Sequence, residues 1–407
     1  MTKKSDAPAI RFKGFSDAWE QRKLGEIGSV SMCRRIFKEQ TSETGDIPFY
    51  KIGTFGADPD AFISRELFEE YKSKYPYPQK GDILISASGS IGRTVEFAGN
   101  NEYFQDSNIV WLNHDERLSN PFLKCFYSVV KWAGIEGSTI KRLYNDNILN
   151  TVICMPSVPE QKRIGLFFEN LDNLITLHQR KFEKLTNVKK SMLEKMFPQN
   201  GSSYPKIRFK GFTDPWEQRK LGDMMNVTSV KRIHQSDWTD SGVRFLRARD
   251  IVAAAKNEEP DDYLYISKEK YEEYSALSGK VGVSDLLVTG VGTIGVPYLV
   301  RNLEPLYFKD GNIIWFQNSD KIDGKFLFYS FSAEQIQGFI NESAGIGTVG
   351  TYTIESGKKT PISLPNQIEQ AKVGEFFQQL DNLITLHQRE LEKLQNIKKS
   401  MLEKMFV

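Results

Sequence analysis

The strongest constraint on the fold is a segment that occurs twice. LDNLITLHQR begins at Leu171 and again at Leu380 without one change. The identity continues to Phe197 in the first copy and to Phe406 in the second, with only four differences. Such self-similarity is typical of a chain built from repeated structural units. The sequence therefore predicts two copies of one architecture.

A second matched segment opens each half of the chain. IRFKGFSDAWEQRKLG begins at Ile10, and IRFKGFTDPWEQRKLG begins at Ile207. In each half, the stretch between the opening segment and the LDNLITLHQR segment has diverged. Only short similarities remain there, such as FQDSNIVWL in the first half against FKDGNIIWF in the second. We therefore expect a variable module followed by a helix, twice over, with limits at 1–156, 157–203, 204–365 and 366–407.

Each repeated segment is predicted to form one long helix of roughly 55 Å. Ser157-x-x-Glu160 and Asn366-x-x-Glu369 fit a capping box at the helix start, and Pro159 is tolerated in a first turn. Apolar residues then recur at alternating spacings of four and three, which is the pattern of a coiled-coil seam. The predicted seam residues are Leu171, Ile175, His178, Phe182, Leu185, Leu380, Ile384, His387, Leu391 and Leu394.

The variable modules are predicted to be α+β. The runs DILIS, NIVWL, DLLVT and NIIWF are rich in β-branched and aromatic residues and are bounded by Gly and Asn, as strands are. Short amphipathic helices are expected at Arg65–Ser73 and Lys268–Tyr274. Each module should contain a twisted sheet with a few short helices.

Composition excludes several classes of protein. The net charge of +2 favours no particular partner, and three cysteines without a CxxC pair predict neither a disulfide framework nor a zinc cluster. The longest uncharged stretch of note, Leu286–Val300, is too short for a membrane span. The amino terminus lacks the apolar core of a signal peptide, so a cytoplasmic protein is expected.

Glycine-rich motifs suggest a cofactor site at first. GVGTIG at Gly290–Gly295 and GIGTVG at Gly345–Gly350 match a dinucleotide fingerprint, which requires a helix after the third glycine. Gly295 is followed instead by VPYLV, which is typical of a strand, so a hairpin turn is the better interpretation. No P-loop, nucleophile elbow, zinc-protease motif or [DN]-P-P-[YFW] tetrapeptide is present, and the four histidines have no ligand spacing. We predict no catalytic residue, no metal and no cofactor.

Basic and aromatic residues occur at corresponding places in the two modules. Arginine can hydrogen-bond guanine through two N–H groups, and lysine holds phosphate. One such cluster alone would be a solvated surface, but their duplication favours nucleic acid. The predicted DNA-binding residues are Arg34, Arg35, Lys38, Lys51, Arg93, Lys141, Arg142, Tyr144, Lys231, Arg232, Arg247, Arg249, Tyr352, Lys358 and Lys359.

The whole chain resembles a specificity subunit of a type I restriction–modification system. The resemblance rests on the tandem organisation, on the GDILIS…GxIG and QDSNIVWL segments, and on the P-x-x-x-EQ-x-x-I entry into an LDxLI helix at Pro156–Ile175 and Pro365–Ile384. One departure is that the entry MPSVPEQ becomes LPNQIEQ in the second copy, without the second proline. This departure bears only on the local cap geometry.

The resemblance implies a division of labour. Each variable module would be a target recognition domain for one half of a split DNA sequence, and the helices would be spacers that pair antiparallel. The helices would recruit two modification (methyltransferase) subunits, and restriction (motor-nuclease) subunits would join them. S-adenosylmethionine, ATP and Mg would belong to those partners. Two similar modules related by a pseudo-twofold suit a duplex, and the helix length would set the distance between half-sites.

Two alternatives remain open. A self-sufficient DNA nuclease or methyltransferase would need a catalytic motif, which an activity assay with cofactor and DNA would reveal. A structural coiled-coil protein that binds no nucleic acid would explain the helices but not the basic clusters. Salt-dependent binding to DNA would distinguish a DNA-binding protein from this alternative.

Overall fold

The computed structural model describes residues 8–132, 142–199, 201–318, 320–344 and 350–406. The chain divides into two compact units, one of residues 1–177 with 390–407 and one of residues 178–389. Each unit contains one variable module, the first part of one long helix and the last part of the other. The predicted α+β organisation with two long helices is confirmed.

The first module alternates short strands with short helices. Its strands are β1 (Glu20–Lys23), β2 (Gly28–Ser31), β3 (Ile47–Tyr50), β4 (Phe62–Ile63), β5 (Ile83–Ser86), β6 (Thr94–Glu96), β7 (Tyr103–Phe104), β8 (Ile109–His114) and β9 (Val152–Met155). Its helices are α1 (Arg65–Lys74), α2 (Asn120–Val129) and α3 (Asn145–Leu149), with 3-10 turns at Leu24–Glu26 and Lys38–Gln40. The predicted helix from Arg65 and both predicted strands are present.

Three small sheets organise this module. The central sheet is antiparallel, in the order β2-β8-β5-β6. A second sheet has the order β4-β3-β7, in which β3 pairs antiparallel with β4 and parallel with β7. Strands β1 and β9 form a separate antiparallel pair that brings the start of the module next to its end.

The second module repeats this plan. Its strands are β10 (Glu217–Lys220), β11 (Asn226–Thr228), β12 (Trp238–Thr239), β13 (Val243–Leu246), β14 (Leu264–Ile266), β15 (Leu286–Thr289), β16 (Pro297–Leu299), β17 (Leu306–Phe308), β18 (Ile313–Gln317) and β19 (Pro361–Leu364). Its helices are α5 (Leu221–Met224), α6 (Ala248–Ala255), α7 (Lys268–Ser278), α8 (Gly324–Ser330), α9 (Glu334–Ser343) and α10 (Ile354–Lys359), with a 3-10 turn at Gln235–Asp237.

The sheet orders match those of the first module. The central sheet is β11-β18-β15-β16, the second is β12-β14-β13-β17, and β10 pairs with β19. The second module thus adds one edge strand, β12. The segment Gly290–Gly295 joins antiparallel strands β15 and β16, so the hairpin interpretation of GVGTIG is confirmed. Of the other glycine motif, residues 345–349 lie outside the described residues.

The middle strands of each central sheet are mostly apolar because both of their faces are buried. In β5 the side chains of Ile83 and Ile85 enter a core shared with α2 and the long helices, whereas Leu84 faces a second core against β3 and α1. In β15, Leu286 and Leu287 divide in the same way between two cores. Strands buried on both faces lose the polar alternation of half-exposed strands. The central sheet therefore lies between two apolar cores in each module.

The long helices are α4 (Val158–Met196) and α11 (Gln367–Met405), each of 39 residues and about 58 Å. In the first unit Asp172 of α4 accepts a bond from Lys398 of α11 at 2.5 Å. In the second unit Lys189 of α4 pairs with Asp381 of α11 at 2.6 Å. Within each unit the two helices run antiparallel, as the resemblance implied. No helix in the described ranges is long and apolar enough to cross a membrane.

The matched segments at the start of each half attach to the ends of these helices. The amide of Ile10 donates to the carbonyl of Lys404 at 3.0 Å, and the amide of Ile207 donates to that of Lys195 at 2.8 Å. The rings that cover these helix ends are the same in both units: Trp19 packs edge-on against Phe406, and Trp216 packs edge-on against Phe197. The two segments stay alike because they dock on the same repeated helix end.

The start of each long helix is fixed by a buried ion pair. Arg11 bonds both oxygens of Glu160 at 2.6 and 2.7 Å, and Arg208 bonds both oxygens of Glu369 at 2.7 Å. Both carboxylates are fully buried. The predicted capping box is therefore wrong about the glutamates, because each carboxylate bonds an arginine from the opening segment of its half. Asn366 does cap α11, since its Oδ1 accepts from the amide of Glu369 at 3.0 Å.

Substituting Met for Arg11 should destabilise the first unit, because the carboxylate of Glu160 would stay buried without its partner. We expect a loss of about 2–3 kcal/mol in the free energy of unfolding, with the same loss in the second unit for Arg208→Met. Chemical denaturation followed by tryptophan fluorescence would measure both.

The double variants Arg11→Met/Glu160→Met and Arg208→Met/Glu369→Met are the controls. They should recover much of the loss, because no buried charge is left. Equal losses in the single and double variants would contradict this account.

Candidate nucleic-acid interface

A tight turn lies at the centre of each candidate site, between β7 and β8 in the first module and between β17 and β18 in the second. The turn is Asp106-Ser107-Asn108 in the first module and Asp310-Gly311-Asn312 in the second. Ser107 and Gly311 adopt the left-handed conformation, with φ of 59° and 71°. Because Gly adopts this conformation freely and Ser rarely does, the turn is held by its surroundings in the first module.

The same neighbours surround both turns. The amide of Ala87 donates to the carbonyl of Asn108 at 2.7 Å, and the carbonyl of Ala87 accepts from Leu143 at 2.8 Å. In the second module Gly290 makes the same two bonds, to Asn312 at 2.8 Å and with Tyr352 at 2.9 Å. Segments that are distant in sequence are thus joined at one place in both modules.

In the first module this turn brings two predicted arginines together. Arg35 donates its Nε–H to Asp106 at 2.9 Å, and Arg142 donates from Nη2 to the carbonyl of Ser107 at 3.2 Å. The Arg142 guanidinium lies 5.9 Å from the ring centre of Tyr144, which is half exposed. Cations over aromatic rings and stackable aromatics are features of nucleic-acid surfaces. The exposed Arg35 and Tyr144 and the half-buried Arg142 therefore lie together around this turn.

Two further predicted residues lie at a loop beside this turn: Lys51 is in the loop, and Arg93, from the turn between β5 and β6, contacts it. Lys51 pairs with Asp60 at 2.9 Å, and Arg93 donates from Nη2 to the carbonyl of Gly56 at 3.1 Å. The loop is attached to the site because the amide of Ile52 donates to Gln105, the residue before the turn, at 2.9 Å.

The remaining predictions for the first module are more scattered. Arg34 lies over the ring of Tyr75 at 5.2 Å from its centre, and Lys38 is exposed at the start of a 3-10 turn. Lys141 lies outside the described residues.

In the second module the counterpart arginine is placed alike, whereas the others are not. Arg232 donates its Nε–H to Asp310 at 2.8 Å, and this hydrogen bond raises the pKa of the guanidinium. Arg247 is mostly buried and is held by Asp250 and by Asp262, at 2.9 Å from each. Three of its nitrogens are engaged by these carboxylates and by a carbonyl, so its geometry favours a structural role.

The other second-module cations are exposed. Arg249 pairs with Asp262 at 2.6 Å, and the hydrogen bond from Arg247 is the largest influence that lowers the pKa of this carboxyl. Lys358 pairs with Glu355 at 2.8 Å. Lys231 and Lys359 also lie on the surface.

Tyr352 does not belong to this surface. It is only 2% exposed, and its hydroxyl lies 2.5 Å from that of Thr360. Its backbone takes the place that Leu143 has in the first module, and Leu143 is a buried core residue. The residue that follows Tyr352 is Thr353, which caps α10. The prediction of a DNA contact for Tyr352 is therefore corrected, because the position is part of the core in both modules.

Sequence reasoning missed the groups that hold the arginines. Asp106 and Asp310 bond Arg35 and Arg232, yet the sequence suggested them only as part of a shared strand segment. The signal was present: both modules have Tyr-Phe-x-Asp-x-Asn at this place. An aspartate retained between otherwise divergent modules can indicate a tertiary partner.

The predicted helix seam contains a histidine pair. Nδ1 of His178 lies 3.2 Å from Nδ1 of His387, so at least one ring must be neutral for the two to share a hydrogen bond. Burial, and then the nearby charges of His178 and Lys181, lower the pKa of His387. Leu171 and Leu380 are buried, and the remaining eight predicted seam residues are half-buried. Among the described residues, no group of three or more His, Cys, Asp or Glu side chains could hold a metal ion.

Replacing Tyr144 by Ala should weaken DNA binding by about tenfold, because an exposed aromatic ring that can stack on a base is lost. Tyr352→Phe should leave DNA affinity unchanged and lower stability by about 1 kcal/mol, because only a buried hydroxyl bond is removed. Fluorescence anisotropy with target duplex and thermal unfolding measure the two effects. Loss of affinity in Tyr352→Phe with unchanged folding would contradict the core assignment.

Comparison with known proteins adds a family to this geometry. The model of the type I restriction modification DNA specificity domain matches residues 16–187 and 213–396, one match in each half and well over half of the chain. A putative type I restriction enzyme specificity subunit, S.HindORF215P of Haemophilus influenzae, is 61% identical over 157 residues, which are 38% of this chain and 41% of that relative. The match thus spans less than half of that protein.

Longer matches cover most of the chain. The type I restriction enzyme MjaVIII specificity subunit of Methanocaldococcus jannaschii is 27% identical over 339 residues, 79% of this chain and 74% of that one. The crystal structure of an S subunit from M. genitalium covers 98% of this chain and 99% of its own, with a TM-score of 0.64 at 15% identity, which supports the fold. The two family matches along most of its length show that this chain belongs to the type I restriction–modification DNA specificity subunits, the non-catalytic DNA-recognition components of those systems.

Proposed function

We propose that this chain is the sequence-reading subunit of a cytoplasmic type I restriction–modification complex. Each variable module, within 1–156 and 204–365, would act as a target recognition domain for one half of a bipartite and asymmetric DNA target. The long helices, within 157–203 and 366–407, would set the spacing of the half-sites and dock two modification subunits. S-adenosylmethionine, ATP and Mg would be bound by the partner subunits.

The observation that carries this proposal is the contrast between a repeated frame and divergent surfaces. The ion pair of the helix start, the tryptophan that covers the helix end and the central sheet recur in both units. The residues around the central turns differ: Arg142 and Tyr144 in the first module correspond to Thr351 and Thr353 in the second. A shared frame with different exposed side chains is what two unlike half-sites require.

The proposed DNA surface is the part of the predicted set that is exposed or, for Lys51 and Arg142, half-buried. In the first module it consists of Arg34, Arg35, Lys38, Lys51, Arg93, Arg142 and Tyr144, and in the second of Lys231, Arg232, Arg249, Lys358 and Lys359. Lysines in this set would hold phosphates, and arginines with fixed orientation would contact bases. The alternative of a purely structural coiled-coil protein leaves these duplicated basic residues without a role.

The docking surface for the modification subunits is proposed on the helices. Leu174 and Leu177 in α4 are 43% and 45% exposed, and their repeats Leu383 and Leu386 in α11 are 43% and 51% exposed. Residues three apart lie on one face of a helix. Single exposed leucines are ordinary. A pair of exposed leucines that is kept in both helices fits two identical partners, each of which would bury one pair.

Co-expression with a modification subunit tests the function. The complex should contain two modification subunits per chain and should methylate adenine in both half-sites of one split sequence, which sequencing of methylated DNA reveals. The isolated chain should transfer no methyl group, since it has no catalytic motif. Methyl transfer or DNA cleavage by the isolated chain would favour the alternative of a self-sufficient enzyme.

The same readout tests the spacing role. Four residues inserted after Gln179 and after Gln388 lengthen each helix by about 6 Å and nearly preserve its phase. The unspecified gap of the target should then lengthen by one or two base pairs, since duplex DNA rises about 3.4 Å per base pair. An altered half-site with an unchanged gap would contradict this role.

Substituting Lys for the four exposed leucines Leu174, Leu177, Leu383 and Leu386 should prevent assembly with the modification subunit, because the apolar contact becomes charged. Size-exclusion chromatography with light scattering would measure the loss, and DNA binding by the isolated chain should persist. Leu166→Glu is the matched control, since Leu166 is 54% exposed on the same helix but its repeat is Glu375. Normal assembly of the fourfold variant would exclude this docking surface.

A further inference from the structure

The best-preserved feature of the two candidate sites is an arginine held by an aspartate. Arg35 bonds Asp106 at 2.9 Å and Arg232 bonds Asp310 at 2.8 Å, in both cases from Nε–H to Oδ2. The modules have diverged in sequence and differ in length between these residues, yet the bond, its atoms and its distance recur. An incidental surface ion pair would have no reason to recur in this way.

Each pair joins an exposed group to a sheltered one. The side chains of Arg35 and Arg232 are 60% and 65% exposed, whereas those of Asp106 and Asp310 are 16% and 12% exposed. Each aspartate belongs to the central turn, which is bonded to the strand segments on either side. The carboxylate is therefore a fixed anchor, and the guanidinium extends from it into solvent.

A tyrosine fixes the backbone of the same arginine segment. The hydroxyl of Tyr103 donates to the carbonyl of Arg34 at 3.1 Å, and that of Tyr307 donates to the carbonyl of Lys231 at 2.8 Å. Both tyrosines are almost fully buried and stand three residues before the aspartate. The backbone and the side chain of each arginine segment are thus positioned from one short stretch of the chain.

The geometry leaves a defined set of donors free for DNA. A guanidinium has five N–H groups in one plane, and the bond to aspartate uses the one on Nε. The two terminal nitrogens remain, side by side, at the exposed end. Guanine offers two adjacent acceptors, O6 and N7, in the major groove, and a terminal fork of this kind matches them.

The charge of the pair argues against a phosphate contact. A phosphate is attracted by net positive charge and requires no fixed plane of donors. A lysine such as Lys38 or Lys231 would supply that charge. The carboxylate cancels the charge of the arginine but fixes the orientation of its plane. Orientation without net charge favours recognition of a base.

We propose that Arg35 and Arg232 each recognise one guanine, one in each half-site, and that Asp106, Asp310, Tyr103 and Tyr307 are positioning residues for them. This inference rests on the proposed function. It adds a base identity, which the duplicated geometry supports and which neither the fold nor the family assigns.

Methylated-DNA sequencing of the complex with the modification subunit tests this inference. The wild-type motif should contain a guanine in each half-site. Arg35→Ala and Asp106→Asn should each relax one guanine in one half-site, with discrimination there lower by about tenfold or more, while the other half-site stays unchanged. Arg232→Ala and Asp310→Asn should do the same in the other half-site. Asp→Asn keeps the shape, and a thermal melt of each variant separates misfolding from loss of specificity.

The control is Lys38→Ala, which should weaken binding to all sequences alike and reduce the salt dependence by about one ion. The same uniform loss in Arg35→Ala would mean a phosphate contact and would overturn the guanine assignment. An unchanged motif in Arg35→Ala, or a wild-type half-site without guanine, would also overturn it. Failure of the wild-type complex to methylate any split sequence would instead count against the proposed function.

Discussion

The rest of each unit depends on the ion pair between the opening segment of its half and the start of the long helix. A fully buried carboxylate needs its charged partner, so Glu160 can be buried only where Arg11 reaches it. The next residue, Gln161, extends this junction: it donates to the carbonyl of Pro156 at 3.0 Å and accepts from the amide of Ser119 at 2.9 Å. Helix, opening segment and the start of α2 are thereby fixed together. Gln370 makes the corresponding bonds in the second unit.

Because this junction, the central sheet and the backbone of the central turn hold each module together, the side chains of the loops can differ between the two modules. The central sheet is buried on both faces, and its strands are specified by apolar character more than by particular residues. The loops at the central turn carry the exposed charges and are fixed by backbone bonds, such as that from Ala87 or Gly290 to the turn. Side chains there can change while the backbone positions persist. A binding surface can thus be altered without loss of the fold.

Regular elements were predictable from the sequence because their signals are local or periodic. The heptad pattern gave both helices, and apolar runs gave the central strands. Tertiary partners were not predictable in this way. Glu160 matched a capping box but bonds an arginine 149 residues away, and Tyr352 matched a stackable aromatic but occupies a core position that Leu143 fills in the first module. Arg247 is of a residue type that often contacts bases, yet its guanidinium is bound by the carboxylates of Asp250 and Asp262. Whether an arginine is available to contact DNA depends on its neighbours in space, which the sequence alone does not reveal.

The two modules share the arginine held by an aspartate and differ in the side chains around it. The arginine held by aspartate recurs, whereas its surroundings differ: Arg142 and Tyr144 flank it in the first module, and threonines take their places in the second. If identical geometry recognises an identical base, the half-sites share a guanine, and their remaining bases differ because the flanking side chains differ. Under the proposed function, asymmetry of the target would then follow from a few side chains on one repeated frame. Under the same proposal, a new specificity would arise when these side chains change while the aspartate and the tyrosine remain.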